Sequence, residues 1–126
     1  MTDMAPSPKK VEFFIPAPSC ACSGAAFLRD QEKISRMLAV MAELEERFPE
    51  AELVRHDLVE ESAYADNLKA LARYLREAGE EDFASRIAFS LKFVLPAVAV
   101  DGKLVSYGGM PEVEEVVEAI AAALGG

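Results

Sequence analysis

Residues 95–107, LPAVAVDGKLVSY, constrain the fold more tightly than any other part of the chain. Two short β-forming runs flank Asp101-Gly102, and an Asp-Gly pair readily supplies the two left-handed backbone positions of a two-residue hairpin turn. Strands joined in this way must be antiparallel neighbours. The rest of the sheet has to come from upstream, because the segment after Gly108-Gly109 carries a helical period instead: Val113, Val116, Val117, Ile120 and Leu124. Pro111 stands where a first helical residue is favoured.

Upstream, residues 11–15 (VEFFI) are rich in β-formers and stop at Pro16, which predicts a central strand. From 24 to 48 the apolar residues Phe27, Ile34, Met37, Leu38, Met41, Leu44 and Phe48 fall on one helical stripe, which Pro49 terminates. Residues 51–56 (AELVRH) predict a second strand and residues 60–78 a second helix, with Tyr64, Leu68, Leu71 and Leu75 on one face. Glu60 and Glu61 at its start, Arg73 and Arg76 near its end, and Gly79 as a left-handed cap all match the helix dipole and its termini. Phe83, Ile87 and Leu91 at spacing four predict an additional short helix over 80–92.

The order is βαβα(α)ββα. Each long β-to-α crossover joins parallel strands, and the closing hairpin adds antiparallel ones. The expectation is an α/β fold with a mixed four-stranded sheet and helices on both faces. Ligand chemistry in such sheets gathers beyond the carboxyl ends of the strands.

With 126 residues, 52% of them hydrophobic, the chain has the material for one core. Residues 10–126 are read as that domain and 1–9, rich in Pro and polar groups, as a flexible arm. Thirteen Lys and Arg against 22 Asp and Glu leave a net charge of -9, which opposes binding to nucleic acid and to anionic membranes. No apolar run reaches the roughly 18 residues of a membrane span, and no signal-peptide pattern opens the chain, so a cytoplasmic location is the expectation.

Both cysteines, Cys20 and Cys22, lie in PSCACSG between the first strand and the first helix. A helix N-terminus presents unpaired N–H groups and a positive dipole end, so a thiolate there is favoured and its pKa lowered. Flanking Ser19, Ser23 and Gly24 keep the turn open to a partner. An extended three-residue segment puts the two Cα atoms near or beyond the usual disulfide limit of roughly 6.8 Å, so a Cys20–Cys22 bridge would be strained and prone to exchange.

The same two thiolates could instead hold a soft ion, Cu(I), Zn(II) or As(III), but two sulfurs leave a four-coordinate site incomplete. His56, a carboxylate, or a second molecule in a homodimer would have to complete it. A third reading makes both thiols buried and inert in an interaction module. His56 taken alone reads as a strand-end histidine bonded to a neighbour, and Asp57 as a turn or helix-start residue. Met37 and Met41 read as core, the acids Glu112, Glu114, Glu115 and Glu118 as a solvated helix face, and Gly108-Gly109 as a turn or a point of close backbone approach.

Together, VEFFI, a cysteine pair opening a long helix, and LPAVAVDGKLVSYGG resemble the thioredoxin-like superfamily over nearly all of residues 10–124. That resemblance implies a cis peptide before Pro96, with Leu95 and Pro96 offering backbone to a substrate. It also implies Cys20 as attacking thiol and Cys22 as resolving thiol of a thiol–disulfide oxidoreductase or isomerase. The partner would then be a thiol-containing protein or a small thiol, and no cofactor would be needed. The spacing departs from the superfamily's usual two intervening residues, and no aromatic residue precedes Cys20. A partial likeness to arsenical-resistance metallochaperones, in the cysteines after a first strand and the LP…VDGK hairpin, implies metalloid binding. Those proteins use three cysteines and this chain has two.

Overall fold

The computed structural model describes residues 9–16, 24–58 and 64–125. The proposed N-terminal arm, apart from Lys9, the whole PSCACS segment with Cys20 and Cys22, and Glu60 and Glu61 at the expected start of the second helix lie outside the described residues. The elements are β1 (Lys10–Pro16), α1 (Ala25–Arg47), β2 (Glu52–Leu58), α2 (Tyr64–Glu77), α3 (Glu81–Ser85), α4 (Ile87–Val94), β3 (Ala97–Val100), β4 (Lys103–Tyr107) and α5 (Val113–Ala123).

The four strands form one mixed sheet in the order β2-β1-β3-β4. β1 runs parallel to β2 and antiparallel to β3, so it is an interior strand as its composition predicts. Asp101 and Gly102 take φ of 49° and 84°, the left-handed pair that the hairpin requires, and β3 and β4 are antiparallel neighbours.

Alternation along β1 divides the interior into two layers. Val11, Phe13 and Ile15 pack with Met37, Val40 and Leu44 of α1, Val98 and Val100 of β3, and Val116, Val117 and Ile120 of α5. Phe14 points the other way, toward Leu71, Tyr74 and Leu75 of α2, Ala84 of α3 and Val94 of α4. β3 contributes Val98 and Val100 to the first layer and only Ala97 and Ala99 to the second, where Phe14 and Tyr74 fill the space. Each fully buried side chain such as Phe13, Leu44, Leu71 or Ile120 stabilises the fold by about 1.5–3 kcal/mol relative to exposure.

α2 ends as Gly79 suggested. With φ 90°, its N–H donates to Arg76 O at 3.1 Å and Glu80 N–H donates to Leu75 O at 2.8 Å, the paired hydrogen bonds of a Schellman cap.

Four local expectations change. Leu38, read as part of the α1 stripe, is 43% exposed, and Val40 occupies the buried position instead, because the stripe follows the packing of β1 and α5. The single helix expected over 80–92 is two, broken at Arg86, whose φ of -122° is not helical. Pro111 lies outside α5, which starts at Val113 after an extended Glu112; the carbonyls of Met110 and Pro111 are held by Arg36 Nη1 at 3.3 and 2.9 Å. Asp57 pairs with Ile15 inside β2 instead of turning the chain. Among the described residues no helix is long and apolar enough to cross a membrane.

Candidate functional site

β1 delivers the chain to the carboxyl edge of the sheet at buried Pro16, and α1 takes it up again at Ala25. Gly24, with φ 62°, occupies the N-cap position, and among the described residues no side chain caps the helix there. No acidic residue stands in the first turn, and Arg47 stands in the last. The amino end of this 23-residue helix therefore keeps its positive dipole character with no carboxylate in its first turn to offset it. Residues 17–23 join these two ends.

The second part of the site comes from register. Ala97 of β3 pairs antiparallel with Phe14, so the preceding Leu95–Pro96 peptide lies beside the end of β1, where the cysteine segment departs. This peptide is cis, in agreement with the superfamily resemblance.

Its backbone groups are already engaged. Leu95 N–H donates to Leu91 O at 2.9 Å, closing the end of α4, and Leu95 O accepts from Lys33 Nζ at 2.9 Å. Gly108 N–H donates to Val94 O at 3.0 Å and to Pro96 O at 3.1 Å. Leu95 itself is buried. Leu95 and Pro96, read from sequence as the substrate-pairing edge, thus offer no unused N–H or C=O at Leu95 and only a carbonyl already accepting at Pro96.

Lys33 is the residue that sequence reading missed here. It sits one helical turn before buried Met37, on the margin of the apolar stripe, and that spacing was the available signal. Burial lowers its pKa, against the opposing attraction of Asp30. Its side chain ties α1 to the loop before β3 and brings a positive charge to the margin of the site.

A second polar cluster lies deeper. Glu12 is 5% exposed on β1, facing α2 on the side opposite Val11 and Phe13. Tyr74 OH donates to Glu12 Oε1 at 2.7 Å, and His56 Nε2 lies 2.9 Å from Glu12 Oε2. His56 also stacks on Phe14, with ring centroids 4.8 Å apart, and Tyr74 meets Phe14 edge-on. Burial, then the bond to Glu12, raises the Tyr74 phenol above its ordinary value. Four strand steps separate Glu12 from Pro16, about 13 Å. Glu12 and Tyr74 are therefore a support beneath the site, whereas His56, paired with Phe14, is two strand steps from Pro16 and bonds Glu12 through Nε2 alone, a bond that does not involve Nδ1. Among the described residues no group of three or more His, Cys, Asp or Glu side chains could hold a metal ion.

No protein-family model matches the chain, and no curated protein matches it. Among solved structures it is similar to the arsenical resistance operon trans-acting repressor from Bacteroides vulgatus ATCC 8482, at 21% identity and a TM-score of 0.47 over 91% of this chain and 94% of that one. The functional reading therefore rests on this chain's own residues.

Proposed function

We propose that this is a thioredoxin-like thiol protein in which Cys20 and Cys22 exchange disulfides with a small thiol. The observation that carries the reading is the amino end of α1: a helix start with no acid in its first turn and, among the described residues, no side-chain cap, directly after the cysteine segment, favours thiolate over thiol. The Cys20 thiolate attacks a disulfide sulfur, forming a mixed disulfide and releasing one thiolate. The Cys22 thiolate then attacks Cys20 sulfur, releases the second thiolate and leaves Cys20–Cys22 oxidised, two electrons having passed to the substrate. A small thiol is preferred to an extended peptide because the backbone of Leu95 and Pro96 is already bonded to Leu91, Lys33 and Gly108. Nucleic acid has no part in this reading, given the net charge of -9.

The same closed backbone favours one other reading, capture of a soft ion, since an ion needs no strand to pair with. Two sulfurs would then need His56 through its Nδ1, a carboxylate, or a second molecule to complete the coordination. Alkylation across pH, read by intact mass, tests the exchange reading. One thiol should ionise well below the reference of about 8.5, and oxidised glutathione should remove two hydrogens from the protein. Both thiols titrating at the reference with no oxidised species would end it. A dimer retaining arsenite, Cu(I) or Zn(II) in native mass spectra, without redox turnover, would establish the ion reading.

A further inference from the structure

α4 buries one apolar face and exposes two large rings on the other. Ser90 and Val94 are buried, and Ile87 and Leu91 pack against the second core layer. Phe89, at 82% exposure, and Phe93, at 59%, stand outside one turn apart. Ser90 is accommodated because its Oγ donates to Arg86 O at 3.0 Å, so a polar residue inside and two phenylalanines outside are compatible with a stable helix. Large apolar rings grouped on a surface mark a place where something binds.

The rings form walls of a groove between α3 and α4, about 360 Å³ in volume, lined by Asp82, Phe83, Arg86, Phe89, Ser90 and Phe93. Its lining sets Arg86 against Asp82, and Lys92, beside it and outside the lining, adds one positive charge. Arg86 and Lys92 have no carboxylate within 4.0 Å among the described residues, and Lys92 Nζ rests 5.2 Å over the Phe93 ring. Among the described residues Asp82 is the one acid in the lining, on a chain whose net charge is -9. A second copy would bring its own Arg86 and Lys92 to the contact as well as Asp82, whereas an acidic partner would meet both cations with opposite charge.

We infer that the α3–α4 groove docks an acidic segment of another protein, which seats an apolar side chain between Phe83, Phe89 and Phe93 and sets carboxylates against Arg86 and Lys92. The groove adjoins the Leu95–Pro96 peptide through Val94 but uses none of its groups, so the inference stands apart from the thiol reading.

Two synthetic amphipathic helical peptides test it on the full chain: one with Leu and Phe on one face and Glu on the other, and its twin with Lys for every Glu. The acidic peptide should bind saturably and at least about tenfold tighter than its twin, with amide shift changes in NMR confined to α3 and α4. Phe89→Ser with Phe93→Ser should weaken it by about tenfold or more, and Arg86→Glu with Lys92→Glu should reverse the preference, both variants keeping the parent circular dichroism. No binding, equal binding of the two peptides, or shifts centred elsewhere would overturn the inference. A concentration-dependent dimer abolished by the Phe89 and Phe93 substitutions would overturn it in favour of a second copy of this chain.

Discussion

Glu12 is a buried carboxylate whose oxygens are both engaged, one by Tyr74 OH and one by His56 Nε2. Removing a single donor exposes the cost of burying the acceptor. Tyr74→Phe should therefore lower stability by about 1–3 kcal/mol in denaturant unfolding, although it keeps the ring and its edge contact with Phe14. The same bond has a pH consequence. The Tyr74 phenol is raised above its ordinary value, by burial first and then by Glu12. The folded chain thus holds the proton at pH values where the unfolded chain has lost it. The stabilisation is complete below the unfolded value of about 10 and is lost as pH rises through the folded value. Tyr107, raised by its hydrogen bond to Glu80, acts with the same sign. Lys33, lowered by burial, acts with the opposite sign. The alkaline fall in unfolding midpoint should become shallower in Tyr74→Phe without vanishing; an unchanged slope would show that Tyr74 does not contribute.

Among the elements, the junction of α4, β3 and β4 brings backbone close against backbone. Gly108 has φ 81°, and a Cβ there would lie 2.6 Å from Phe93 O. Its N–H binds the carbonyls on either side of Leu95 at once. The close backbone approach expected of the glycine pair is found at Gly108, whereas a Cβ at Gly109 would meet nothing within 4 Å. Gly108→Ala should cost about 1–3 kcal/mol from the left-handed backbone and the forced shift of α4, with Gly109→Ala costing less, as compared by thermal unfolding. The division of residues 80–94 into α3 and α4 belongs to the same junction. The turn at Arg86 lets Ala84 of α3 and Val94 of α4 share one core layer while Phe89 and Phe93 face out.

In the whole molecule one sheet separates two apolar layers, the larger covered by α1 and α5 and the smaller by α2, α3 and α4. Leu44→Ala removes a fully buried side chain from one layer and Leu71→Ala from the other, each at about 2–5 kcal/mol. The two share no partner across the sheet, so their costs should add within about 0.5 kcal/mol in a single cooperative transition. A strongly non-additive pair would show that the two layers are coupled through the sheet. The element order apart from the division of 80–94 into two helices, the central place of β1, the Asp101-Gly102 hairpin, the Gly79 cap and the two-faced sheet could all be read from residue order alone. Periodicity, turn chemistry and crossover length are local properties, and each points to a neighbour a few positions away. The contacts that shape the candidate site are of another kind. Lys33 reaches Leu95 and Tyr74 reaches Glu12 across 62 positions each. No spacing rule links residues so far apart. The contacts arise once the sheet has chosen its strand order and each helix its rotation against it, which also turned Val40 inward, Leu38 outward and the aromatic face of α4 to solvent.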